Sequence, residues 1–294
     1  MRTDQRTVGS FLFDLWIYAS LTLFALATCL PFLHIIAASF TSIAEYTQKR
    51  FILFPTDWSL DAYRVIFSTS TLSRSLLNSV IVTLGGTTIA MLVSSMMAYG
   101  LSRPSLPGRR LIMFMVVFTL MFNGGIIPTF LVVKEIGLID SYLAMMLPLA
   151  VNTFNLIILK SFFQSLPEGL EESAKIDGAN DLVILFRIVI PLSLPAIATI
   201  SLFYGVAFWN LFQQAVFYIN DSTKWPIQVL LRQIVIVSSG LDANLGAQDE
   251  GFVRPPEQTI KMAVIVFATV PILLVYPFLQ KYFAKGVLLG SVKG

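Results

Sequence analysis

Residues 165–192, "SLPEGLEESAKIDGANDLVILFRIVIPL", decide how the rest of the chain is read, because they set a charged, helix-forming run between two apolar stretches. Ser165 and Glu168 stand in the S-x-x-E relation of a capping box, and Pro167 is tolerated in a first turn, so a helix is expected to start there. Glu168, Glu171 and Glu172 crowd its N-terminal half, where the helix dipole favours negative charge, and Lys175 sits near its C-terminal end. Asp177-Gly178 then interrupts it, since glycine reaches the left-handed conformation that a sharp stop requires. A second helix is expected from Asn180 or Asp181 onward. The product is a helix–turn–helix elbow with Leu170, Ala174 and Ala179 as small or apolar contact points.

The surroundings of the elbow are built for lipid. Of 294 residues, 56% are hydrophobic and 13% charged, and the mean hydropathy is +0.77; a soluble domain is about a quarter charged. The chain is expected to be an all-α integral membrane protein. Its basic residues are scattered singly and form no patch that could follow a phosphate backbone, which argues against nucleic acid as a partner. The single cysteine, Cys29, lies in an apolar run and excludes both an intramolecular disulfide and a cysteine-based metal cluster.

A helix crosses a bilayer in about 20 apolar residues, and six stretches qualify: 11–40, 75–100, 110–133, 140–162, 188–212 and 262–284. The first follows Arg2 and Arg6, but it is longer than a signal-peptide core and no cleavage site follows, so it is expected to be retained. Arg2, Arg6, Arg103, Arg109, Arg110, Lys281, Lys285 and Lys293 fall on one side, against Lys134 in the single short loop of the other. The positive-inside rule then places both termini, the 101–110 loop and the elbow (loop 163–187) in the cytoplasm, and the longer loops 41–74 and 213–261 outside. Within the latter, Ile227, Leu230, Leu231, Ile234 and Val237 recur at helical spacing over a segment too short to span, while 240–258 reads as an exposed loop. The whole chain, 1–294, is expected to form one transmembrane domain.

Glu172-Ser173-Ala174, three residues, Gly178, nine residues, then Ile188-Val189-Ile190-Pro191 closely resembles the E-A-A-x3-G-x9-I-x-L-P signature of ABC-importer permeases, the binding-protein-dependent inner-membrane components. Segments 98–110, 124–141, 152–180 and 281–294 look like the carbohydrate-uptake branch of that family, including permeases for alginate and other plant or algal polysaccharide fragments. Ser173 replaces the first Ala and Ile190 replaces Leu, both small changes in size.

The resemblance implies a six-span permease of the type I importer fold in a bacterial inner membrane, taking up oligosaccharides. It further implies a second, homologous permease subunit, a homodimeric ATPase that holds the ATP and Mg, and an extracytoplasmic solute-binding protein. In the family the elbow is the coupling helix that rests on the ATPase, which assigns Glu171, Glu172, Ser173, Ala174, Asp177, Gly178 and Ala179 to coupling. For an arbitrary membrane protein such an elbow is simply a well-capped connector; the signature spacing is what favours coupling.

The chain has no G-x-x-x-x-G-K-[ST] phosphate loop, no Ser-His-Asp or paired-carboxylate arrangement, and one histidine, His34, best read as packed or interfacial. No catalytic residue, metal site or cofactor is expected in it. Asn123, Asn152, Asn155, Tyr204, Trp209 and Asn210 are candidates for a sugar path, against interhelical hydrogen bonding and ordinary packing. Pro191 and Pro195 are expected to bend span five. A stand-alone secondary transporter would show intramembrane charges or repeats, and an anchored assembly subunit would not need the signature spacing.

Overall fold

The computed structural model describes residues 8–49, 51–68, 70–167, 169–237 and 257–291. Residues 240–256 of the expected loop 240–258, and Arg2, Arg6, Glu168 and Lys293, lie outside the described residues, while Glu257 and Gln258 open a helix instead of ending a loop. Fifteen α-helices and three short turns of other helical type are described, with one isolated antiparallel bridge, Thr41 to Trp58. They fall into two compact units, residues 1–69 with 234–269 and residues 70–233 with 270–294.

The first unit carries α1 (Val8–Ser39), α2 (Ile43–Gln48) and α3 (Asp61–Ser68). Helix α1 is apolar all round and exposes large side chains such as Phe11, Trp16 and Phe24, as a lipid-facing helix does. The segment expected as an outward loop is folded around Glu45. This carboxylate accepts hydrogen bonds from Thr56 N and Asp57 N at 2.9 and 2.8 Å and pairs with Lys49 at 2.8 Å. Those partners, Lys49 first, hold its pKa down to about 2. His34 is a packed histidine, with Nδ1 accepting from Ile52 N at 3.2 Å and its ring stacked on Phe51.

The second unit is centred on α4 (Ser70–Ser102), which packs on α8 (Thr153–Gln164) and α12 (Leu194–Trp209). The contact is close because Gly86, Ala90, Ser94 and Ala98 recur every fourth residue and are all buried. A Cβ on Gly86 would stand 2.7 Å from the Phe208 ring, so α12 presses directly on the α4 backbone there.

Three of the expected spans are broken rather than straight. The third splits into α5 (Arg109–Met121) and α6 (Ile126–Glu135), bent by 120°. The break is chemical: Asn123 Oδ1 accepts Gly125 N at 2.9 Å, and Gly125 has φ +85. The fourth consists of α7 (Tyr142–Met146), a 3₁₀ turn at Leu147–Leu149 and α8, bent by 55° where Pro148 ends one piece and Asn152 caps the next. The fifth comprises α10 (Asp181–Ile184), a π-turn at Leu185–Val189, α11 (Ile190–Leu192) and α12, turning by 90° at Ser193 between the two prolines expected to bend it. Helices Phe11–Ser39, Ser70–Ser102 and Gln258–Val275 are long and apolar enough to cross alone, the last within α15 (Glu257–Ser291).

The elbow helix is α9 (Gly169–Ile176); after α12 come α13 (Gln213–Tyr218) and α14 (Ile227–Val237), the latter where helical spacing predicts it. The connection between α13 and α14 is bound to α4: Asn78 Nδ2 donates to Thr223 O and Trp225 O at 2.8 and 3.1 Å, and Ser79 Oγ accepts Ile227 N at 2.8 Å. The expected second outward loop is therefore largely ordered helix and turn up to residue 237.

Candidate functional site

The elbow is shaped by its second half. Gly178, at φ +81, ends α9 in a Schellman motif: Ala179 N donates to Ala174 O at 2.9 Å and Gly178 N to Lys175 O at 3.0 Å. Asn180 then caps α10, its Oδ1 accepting Val183 N at 2.8 Å. Of the expected capping box, Glu168 lies outside the described residues. Ser165 ends α8, and its Oγ donates to Phe162 O at 2.7 Å, because a serine beside a helix end is captured by the carbonyl three residues back. Of the expected contact points, Ala174 and Ala179 pack on the core, while Leu170 stays exposed.

Glu171 and its neighbours divide by face. Glu172, Ser173, Asp177 and Gly178 are exposed, as is Ile176 at 86%. Ser173 Oγ is turned back onto Gly169 O. Glu171 is buried at 7% and pairs with Arg103, which follows the end of α4. The Arg103 guanidinium lies 4.3 Å over the Tyr99 ring, and Tyr99 Oη donates to Asp181 Oδ1 at 3.4 Å. Lys175 closes the outer side of the elbow on Asp181 at 3.4 Å. Thus Arg103, Tyr99 and Asp181 belong to this site although sequence reasoning used Arg103 only for orientation.

A cavity of about 440 Å³ opens between α8 and α12. It brings together Asn152, Asn155 and Tyr204 among the aromatic walls Phe154, Phe203 and Phe208. Tyr204 Oη is shared by Ser94 Oγ at 2.7 Å and Asn152 N at 2.9 Å, so the phenol ties α4, α8 and α12 at one point. The other three candidates lie elsewhere: Asn123 makes the α5–α6 turn, Asn210 binds Val206 O at the end of α12, and Trp209 is buried outside the cavity lining. Among the described residues no group of three His, Cys, Asp or Glu could hold a metal ion.

An elbow with one face anchored and the other bare, on a core of broken apolar helices, can be compared with known proteins. Residues 86–289 match the family described as the binding-protein-dependent transport system inner membrane component. The chain belongs to this family. It is 65% identical over 96% of its length, and 99% of the relative's, to the polygalacturonan/rhamnogalacturonan transport system permease protein YtcP of Bacillus subtilis (strain 168). It is 31% identical over 94% of its length, and 88% of the relative's, to the diacetylchitobiose uptake system permease protein NgcG of Streptomyces coelicolor. Among solved structures, a chain of a bacterial ABC transporter involved in the import of the acidic polysaccharide alginate superposes with a TM-score of 0.87 at 32% identity, covering 96% of this chain and all of that one. The protein is an inner-membrane component of a binding-protein-dependent transport system whose relatives serve carbohydrate and polysaccharide ABC importers, and the elbow and the cavity are features of that component.

Proposed function

We propose that this permease crosses the membrane six times, counting each bent pair as one span, with both termini and the elbow in the cytoplasm. It forms half of a pathway for oligosaccharides cut from acidic plant or algal polysaccharides. The other half is a second, homologous permease. A dimeric ATPase supplies ATP hydrolysis, and an extracytoplasmic solute-binding protein delivers the cargo. The acidic class is supported by the kinship with permeases named for polygalacturonan/rhamnogalacturonan and for alginate transport.

The observation that carries the coupling role is the division of the elbow. Its exposed face bears Glu172, Ser173, Ile176, Asp177 and Gly178, and its other face is fixed by Glu171, Ala174 and Ala179. An 86%-exposed isoleucine beside two carboxylates, on a helix stopped by a rigid turn, suits docking into a groove of a partner better than lying against water. Asn152, Asn155 and Tyr204 offer amide, phenol and aromatic surface at one cavity, the chemistry that holds sugar hydroxyls and ring faces.

The test is ATP hydrolysis by the complex assembled with its ATPase, second permease and binding protein, across a panel of neutral and acidic oligosaccharides. Stimulation by oligogalacturonides, abolished by Gly178→Val, is the expected result. Stimulation by no sugar in an intact complex overturns the carbohydrate assignment and directs the search to peptides and other solutes.

A further inference from the structure

The end of α4 is over-provided with contacts. Its last carbonyls are already capped, Leu101 O by Arg109 Nε at 2.9 Å and Ser102 O by Gln164 Nε2 at 3.2 Å. Arg103 is therefore not needed as a cap, and it reaches 68 residues along the chain to Glu171 instead. The two side chains are only 23% and 10% exposed. Through Arg103 and Tyr99 the end of α4 meets both helices of the elbow, α9 at Glu171 and α10 at Asp181.

An ion pair at this depth is a poor way to gain stability, because desolvation offsets most of the attraction and an apolar pair would hold as well. The arrangement even leaves Arg103 Nε buried without a partner, a penalty that a purely adhesive contact does not require. What a guanidinium stacked on Tyr99 does provide is direction, since the ring fixes its plane and the single Nη2 contact to Glu171 Oε1 acts along one line.

We propose that Arg103 and Glu171, with Tyr99 beneath them, form a strut that carries displacement of the elbow to α4. The covalent chain ties the elbow only to α8 before it and to the π-turn and α11 after it, so the strut adds a non-covalent route to a third element. Arg103 is a positioning residue, passing displacement of Glu171 to the end of α4. This inference rests on the coupling role proposed above.

The test uses the assembled transporter in proteoliposomes and reads uptake per ATP hydrolysed, together with membrane insertion and complex assembly. Arg103→Glu and Glu171→Arg are each expected to lower uptake per ATP about tenfold while binding-protein-stimulated hydrolysis persists. The charge-swapped double variant is expected to recover to within about threefold, and Arg103→Lys, which keeps the charge but loses the planar group stacked on Tyr99, to lie between. A merely structural contact would reduce assembly, hydrolysis and uptake together. Single reversals that leave the ratio unchanged, or a swap that restores assembly without restoring the ratio, overturn the strut. Gly178→Val run in parallel separates the two claims: if it abolishes stimulated hydrolysis and the Arg103 and Glu171 variants keep the ratio of uptake to hydrolysis, only the strut fails, and if Gly178→Val leaves stimulated hydrolysis and uptake unchanged, the coupling role itself fails.

Discussion

Gly178 gives the sharpest quantitative expectation. Its backbone sits at φ +81, and a Cβ placed there would meet nothing within 4 Å. Substitution in the isolated permease therefore carries no packing penalty, and the whole effect is conformational. An ordinary L-residue in the left-handed region loses about 1–2 kcal/mol, which is about a 5- to 30-fold shift against the native turn. Asparagine tolerates that region and is expected to lose less than about twofold, whereas a β-branched residue is the worst case. The order of function is thus Gly178, then Gly178→Asn, then Gly178→Ala, then Gly178→Val.

The same strain has a local readout. If the turn lets go, the bond from Ala179 N to Ala174 O opens first, so amide exchange at Ala179 should rise in the order of the functional loss. Binding-protein-stimulated ATP hydrolysis and uptake in proteoliposomes provide the functional series. The reasoning is refuted if Gly178→Asn is as damaging as Gly178→Val while exchange at Ala179 is unchanged, for then the residue is glycine to leave room for a partner surface and not to turn the chain.

Three further outcomes can be checked separately. Tyr204→Phe leaves buried Ser94 Oγ and the Asn152 amide without their shared partner, and a thermal melt in detergent should show a loss of about 1–3 kcal/mol. Gly86→Ala drives a methyl into the Phe208 ring; overpacking of about 2–3 kcal/mol exceeds the ~1 kcal/mol gained in helix propensity, and Phe208→Leu in the same chain should recover most of the loss. The Glu45 carboxyl is depressed from 4.5 to about 2 in the folded chain, so its contribution is fully present above about pH 4.5 and disappears as the pH falls through 2. Fluorescence of a variant with Trp58 as its sole tryptophan should follow that acid transition, and Glu45→Gln should abolish its dependence on pH.

The elbow's C-terminal half was legible because its determinants are local: Gly178 and Asn180 act within five residues of themselves. At its N-terminal end the Ser165 hydroxyl donates to Phe162 O at the close of α8, a choice of helix end that the sequence does not specify. The bends in spans three and four escaped a hydropathy count because Asn123-Gly124-Gly125 and Pro148 leave the average over about 20 residues apolar. Pro191 and Pro195 were legible as a bend, since proline acts on its own backbone. The substrate-path candidates were chosen as amides and polar-tipped aromatics, and the structure gathers three of the six at one cavity, because residue type does not say which way a helix faces. The buried ladder Gly86, Ala90, Ser94, Ala98 was present at fourfold spacing and could have marked α4 as the packing axis.

That α4 is the axis bears on how the permease moves. One uninterrupted helix of 33 residues ends directly before the strut at Arg103 and carries the Ser94 hydroxyl that holds Tyr204 at the cavity and the Asn78 and Ser79 side chains that grip the 223–227 segment. At 1.5 Å per residue these stations lie about 13 Å and about 37 Å from the strut. The helices packed on α4 are bent by 55° and 90° at defined breaks and can change shape piecewise. An unbroken helix carries a displacement along its length with little loss, so a shift entering at Arg103 reaches the cavity and the 223–227 segment together, whereas the same shift entering through α10 meets the π-turn and the bend at Ser193 first, and one entering through α8 reaches the cavity but ends at the break before Thr153. A side chain inserted at Gly86, midway along α4, should therefore disturb coupling and the cavity at once, while the same insertion at Gly100, where nothing lies within 4 Å of a Cβ, should disturb neither.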